Sequence, residues 1–311
     1  MRERASGKLV TLRRILCSDW AQVNETMANC YQWVTLRHPN IAVHQSVLLD
    51  QPTMDGDLPV CLVAEHPTGE CLWKVIPALD ASGRHHLALG LLEALSFLAQ
   101  QHQLHNDLRP SNVIVSPADQ RPILVGFLQT PGLERFPLGY SDFLSPEAAA
   151  RTPAPTPASD VFSLGLVLAC LALGYSSLDP LRRLLGGRFA WLLADEGNLV
   201  EILRPALERA GTLNPTGVSD LMGMLAGDPR VRPQPHECLE RWRAAGETGV
   251  WLDEGPTPSL DAAEGQSLAR ANPEAGLATG EPGSIASTHP VLPNLTPPNL
   301  QRNLHLHQQA R

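Results

Sequence analysis

Within the eight residues His105-Asn106-Asp107-Leu108-Arg109-Pro110-Ser111-Asn112 the chain sets an imidazole, a carboxylate, a guanidinium and two carboxamides. Such a set offers a titratable base, a fixed cation and neutral groups that both donate and accept hydrogen bonds. Elsewhere the reactive side chains are dispersed. The six cysteines, Cys17, Cys30, Cys61, Cys71, Cys170 and Cys238, include no pair at metal-ligand spacing and frame no small stapled fold. They read as buried thiols in a reducing cytosol. His85-His86, and His305 with His307, meet no Cys or carboxylate at ligand spacing and read as solvated, so no metal site is expected.

Two kinds of element must position that segment. From Lys8 to about Leu72, apolar runs at Leu9 to Leu12, Val43 to Leu49 and Val60 to Ala64 predict strands, with one helical stretch from Asp19 to Thr35 between the first two. After Arg84 the period becomes helical. Leu87, Leu91, Leu95 and Leu98 mark an amphipathic helix that leads into the His105 segment, and the apolar run Val113 to Val115 follows it. Val161 to Leu173 is apolar all round, as a helix buried on every side is; it is too short for the roughly 20 residues that cross a bilayer. The charged N-terminus shows no secretory signal. Beyond Trp251 there is no Phe, Trp or Tyr, and Pro256, Pro258, Pro273, Pro282, Pro290, Pro293, Pro297 and Pro298 recur among small and polar residues. Such a segment cannot bury enough apolar surface to offset its ordering entropy, so a disordered tail is expected. Hydrophobic residues at 43%, charged residues at 18% and a net charge of −8 suit a globular protein and argue against nucleic acid as a partner, which calls for a basic face.

Five motifs in order carry a family resemblance. They are Leu36-Arg37-His38-Pro39-Asn40-Ile41, the His105 to Asn112 segment, Ser145-Pro146-Glu147, Ser159-Asp160-Val161-Phe162-Ser163-Leu164-Gly165, and Asp228-Pro229-Arg230-Val231-Arg232-Pro233. Over roughly residues 7 to 245 the chain resembles the protein kinase superfamily, whose catalytic loop reads H-R-D-L-x-x-x-N. The resemblance implies an α+β, bilobal fold, with an abbreviated β-rich N-lobe over 1–66, a helical C-lobe over 67–250 and the Pro-rich tail over 251–311. It makes Asp107 the base that accepts a substrate hydroxyl proton, Arg109 its cation and Asn112 a magnesium ligand. Arg109 matches the lysine of the Ser/Thr branch. Structural roles follow for Glu147 and Arg232, a buried ion pair, and for Asp160, which would accept backbone N–H groups of the catalytic loop. His105, Phe127 and Trp33 would either stack as a spine between the lobes or simply fill a core.

The nucleotide-handling positions depart from the family. Ser6-Gly7-Lys8 leads straight into the lysine strand, no G-x-G-x-x-G fits upstream, and the glycine-rich loop is expected to be missing. Arg13 stands for the phosphate-binding lysine, a planar fork for a compact ammonium. Its glutamate partner falls on the uncharged Asn29. Glu25, one helical turn earlier, is left either to pair with Arg13 or to face solvent. At the hinge, Ala64 aligns with the gatekeeper, Glu65 follows it, and Pro67 has no N–H for an adenine ring. Gly126-Phe127-Leu128 replaces the metal-binding D-F-G, and glycine offers magnesium no side-chain oxygen. Asp119 reads as part of an exposed turn rather than a substitute ligand. Asn106 replaces the arginine that grips a phosphorylated loop, and Tyr140 stands where Ser/Thr kinases place a threonine.

These departures imply a catalytically impaired, cytoplasmic pseudokinase, similar to the inactive serine/threonine-kinase-like-domain proteins. It is expected to bind protein partners through the C-lobe and the tail, with neither nucleic acid nor membrane as a partner and no cofactor. The alternative is a weakly active Ser/Thr protein kinase that takes ATP and Mg²⁺ in an unusual pose.

Overall fold

The computed structural model describes residues 9–127, 141–150, 154–245 and 249–252. Strand β1 (Val10–Cys17) alternates so that Arg13, Ile15 and Cys17 share one face, and it pairs antiparallel with β3 (Leu58–Glu65) in the register Arg13↔Leu62 and Ile15↔Val60. Strand β2 (His44–Leu49) takes the other side of β3, giving the order β1-β3-β2. Helix α1 (Trp20–Thr35) starts where Asp19 accepts the Gln22 N–H at 2.8 Å, an N-cap that satisfies a donor the first turn leaves open. Its buried residues Val23, Thr26, Cys30 and Trp33 recur at helical spacing and cover the sheet. The helix stops before His38-Pro39, since a residue preceding proline avoids helical backbone.

Asn40, two residues later, ties this small lobe to the next layer. Its amide donates to the Pro122 carbonyl at 2.8 Å, and its own carbonyl accepts the Leu124 N–H at 2.8 Å. Both partners belong to a second antiparallel sheet of β4 (Glu70–Cys71), β5 (Val113–Val115) and β6 (Pro122–Leu124), with β5 in the centre. The short helix α2 (Leu72–Val75) links β4 to α3 (Ala81–Gln100), whose Leu87, Leu91, Leu95 and Leu98 are buried. The strands and helices expected from sequence are therefore present, in an α+β arrangement with the small sheet first.

The large lobe is built around α5 (Pro157–Ala172), in which every residue from Ala158 to Ala172 is buried. Gly165 permits this: a Cβ there would stand 2.9 Å from Leu225 Cδ2, just beyond α9 (Pro215–Met224), which packs on α5. Helices α4 (Pro146–Ala150), α6 (Leu178–Leu184), α7 (Ala190–Asp195), α8 (Leu199–Ala210) and α10 (Pro235–Ala244) complete the layer, α10 lying against α3. Trp251, where the composition places the start of the tail, is instead part of the folded body. It is 1% exposed, meets the Trp242 ring edge-on at 6.1 Å, and bridges to Leu213. Neighbouring Val250 is also buried, close enough to Gly217 of α9 that a Cβ there would stand 2.7 Å from the Val250 Cβ. Among the described residues no helix is long and apolar enough to cross a membrane.

Candidate functional site

The candidate site lies where β1, the turn after α3 and the segment following β6 meet. The turn is held from below. Asn106 adopts a left-handed backbone, φ 60°, and this brings the N–H groups of His105 and Asn106 onto Asp160 of α5, at 2.7 and 2.9 Å. Burial raises the Asp160 carboxyl to about 6, against the pull of those two bonds. His105 is fully buried. Its Nε2 lies 3.0 Å from the Val125 carbonyl, and its Nδ1 accepts the Asp107 N–H at 3.3 Å, so the proton sits on Nε2. Burial holds this imidazole down at about 3, and it stays neutral.

Asp107 is 7% exposed and faces its own neighbours. Asn112 Nδ2 donates both to its carbonyl and to Oδ2, each at 2.7 Å, and Arg109 Nε lies 3.3 Å from Oδ1. Burial pushes the Asp107 carboxyl up to about 6, and Arg109 and Asn112 pull it back. Asn112 can turn this way because of Gly126. A Cβ at position 126 would stand 2.8 Å from Asn112 Cγ and Oδ1, and the Gly126 backbone has φ 77°, which glycine adopts without steric cost.

Arg13 reaches the same place from the small lobe. Its Nη1 donates to the Gly126 carbonyl at 3.4 Å and to the Phe127 carbonyl. On α1, Asn29 is half-buried and Glu25 is exposed. Phe127 stands at the centre of a ring cluster, 4.4 Å from His105, 5.2 Å from His44 and 5.9 Å from Trp33. The three rings named from sequence therefore meet. His44, at the start of β2, was missed; it is 3% exposed, and burial lowers its imidazole to about 4. Alternation along β2 would not have found it, because the register shifts between His44 and Ser46 and the buried residues are His44 and Val47.

At the hinge the described contacts are made within the protein. Glu65 Oε1 accepts the Val43 N–H at 2.9 Å, Ala64 is half-buried between Thr11 and His44 in the sheet register, and Pro67 is half-buried. Asp119 caps its own exposed hairpin turn, accepting the Arg121 N–H at 3.3 Å. His86 is exposed as expected, but His85 is buried against Gly249 and corrects the reading of both as solvated. Leu128 and Tyr140 lie outside the described residues.

The Glu147 to Arg232 pair anchors the far side. Arg232 binds Glu147 at 2.7 and 3.0 Å and spends its other N–H groups on the carbonyls of Ala158, Ala226 and Gly227. Ser159 adds a bond to Glu147 at 2.7 Å. Burial works against the Glu147 carboxylate, yet Arg232 and Ser159 together hold its pKa below the usual range. A second pair not foreseen joins Arg182 of α6 to the buried Asp142 at 2.8 and 3.0 Å.

The donor set does not fit the magnesium site of a phosphotransferase. Its one carboxylate, Asp107, is already shared by Arg109 and Asn112, position 126 carries no side chain, and a guanidinium covers the adjoining carbonyls. Among the described residues no group of three or more His, Cys, Asp or Glu is placed to hold a metal ion.

Comparison with known proteins agrees with the architecture. Over 188 residues, 57% of the chain, the sequence is 30% identical to the serine/threonine-protein kinase AfsK of Streptomyces coelicolor, covering 22% of that protein. It is 27% identical over 215 residues, 65% of the chain, to the serine/threonine-protein kinase C of Synechocystis, covering 37% of it. The chain thus spans well under half the length of these relatives. The protein kinase domain pattern matches residues 1–242, most of the chain, and the protein belongs to the protein kinase domain family.

Proposed function

We infer that this kinase domain is catalytically impaired and works by binding other proteins. One observation carries the reading: Gly126 stands where an acidic metal ligand is needed, with Asn112 folded onto Asp107 and Arg13 bonded to the carbonyls beside it. Phosphoryl transfer depends mainly on positioning and charge stabilisation, and a metal supplies several kcal/mol of the latter. Losing it slows transfer by on the order of 10² to 10⁴. The intact ring cluster, the Asp160 bonds and the Glu147 to Arg232 pair favour a rigid body whose surface, rather than its cleft, is the working part. The helical lobe, with the proline-rich segment after it, is the surface we assign to protein partners.

Thermal unfolding with ATP, with and without Mg²⁺, tests this. A ligand at 100 times its dissociation constant adds about 2.7 kcal/mol to stability. No metal-dependent shift is expected. A second reading, a slow Ser/Thr kinase, is favoured by the retained Asp107 with its carboxyl raised to about 6, close to the range useful for a base, and by the names of the relatives. A metal-dependent shift together with transfer abolished by Asp107→Ala supports that reading instead.

A further inference from the structure

We propose that Arg13 is a built-in latch that closes the small lobe onto the large lobe and holds the ring cluster assembled without any ligand. The latch rests on three placements. The register Arg13↔Leu62 turns the side chain to the face of β1 that meets α1, and its charge acts on the Cys30 thiol there and on His44 of β2. From that position Nη1 crosses to the carbonyls of Gly126 and Phe127, which follow β6 of the other lobe. Phe127 is also the ring on which His105, His44 and Trp33 converge. The residue gripped by its backbone is thus the residue gripped by its side chain, and release of one loosens the other.

The chemistry of the substitutions agrees with this. Asn29 stands on α1 where the resemblance places a carboxylate, and the Nη1 group of Arg13 donates to the two carbonyls. A guanidinium is a flat fork with five N–H donors and reaches two adjacent carbonyls, whereas an ammonium is a compact and strongly hydrated point charge. Gly126 completes the arrangement, since φ 77° sets the bend of the segment whose carbonyls Arg13 holds and leaves room for Asn112. One pair of residues, Arg13 and Gly126, therefore joins the lobes by charge and dipole. The closed arrangement is independent of metal and of nucleotide, and holds whether or not the cleft transfers phosphate.

Hydrogen exchange on the full chain tests the latch. Arg13→Met removes the donors and keeps the length. It is expected to raise exchange rates in α1 and across 105–127 by about ten- to a hundredfold, the range set by losing a charged hydrogen bond, with α5 unchanged. Arg13→Lys is expected to fall between. Should Arg13→Met fail to fold, Asn29→Glu offers the guanidinium a carboxylate on α1 instead. Faster exchange across 122–127 with slower exchange in α1 is then expected. Unchanged exchange in both segments for either variant overturns the latch, as does protection of the wild-type segments that appears only with Mg²⁺ and ATP.

Discussion

Replacing Glu147 by Gln should be among the most damaging single changes in the molecule, although it alters one atom. Arg232 is 0% exposed at its side chain and Glu147 3%, so neither charge has water to fall back on. All five N–H groups of Arg232 are used: two on Glu147, and one each on Ala158, Ala226 and Gly227. A glutamine cannot satisfy this set. Whichever way its amide is turned, an NH₂ group faces a donor of Arg232 or the Ser159 hydroxyl, and the guanidinium charge is left uncompensated in the interior. Breaking one partner of a buried pair costs about 3 to 5 kcal/mol. At roughly 2 to 4 °C per kcal/mol for a body of this size, the melting temperature should fall by about 6 to 20 °C. Urea unfolding followed by tryptophan fluorescence reads it, with Glu93→Gln as the control. Glu93 also meets an arginine, Arg243 at 2.6 Å, but on the surface, where such pairs contribute at most about 1 kcal/mol. Equal stability losses in the two variants would refute the reasoning, because burial would then not be what makes the first pair matter.

Asp107 gives a pH dependence. Its folded pKa of about 6 lies above the unfolded value of 3.8, so the folded state binds the proton more tightly. Its contribution is fully present below about pH 4 and is lost as pH rises through 6. Asp107→Asn should therefore reduce the fall in stability between pH 4 and 6 by on the order of 2 to 3 kcal/mol, and the slope that is left belongs to Asp160, whose carboxyl burial also raises to about 6; chemical unfolding across that range measures it. Trp251→Ala should cost about 3 to 5 kcal/mol, the usual loss for a large buried aromatic, and a change under 1 kcal/mol in urea unfolding would show that Trp251 lies outside the folded body. Gly126→Ala should cost about 1 to 3 kcal/mol through its positive φ and the 2.8 Å approach to Asn112, read by thermal unfolding in the absence of any ligand.

Much of this arrangement was readable before any coordinates, and the reasons are local. The stripe Val23, Thr26, Cys30 and Trp33 follows a capping aspartate, and the unbroken apolar run of α5 admits only a buried helix. The loss of acid at 126 needs no structure to be noticed. The partner of Arg13 was not readable. Glu25 and Asn29 share a helical face by spacing, but only the turn of α1 on the sheet shows Glu25 exposed while the guanidinium reaches carbonyls more than 100 residues away. Of the polar residues inside, His85 was misread and His44 missed for the same reason. His85 and His44 are buried by neighbours brought in from distant segments, Gly249 for one and Phe127 for the other. Trp251 was assigned to the tail because composition averages over a window, whereas its burial depends on Trp242 and Leu213, which only the fold brings to it.

Incorporation of radiolabelled phosphate from ATP into a protein substrate, with Mg²⁺ present and Asp107→Ala alongside, bears most directly on the catalytic defect assigned to Gly126. Wild-type transfer should lie at least about a hundredfold below an ordinary kinase's rate. Transfer at an ordinary kinase rate, about 1 to 100 per second, that vanishes in the variant would contradict it.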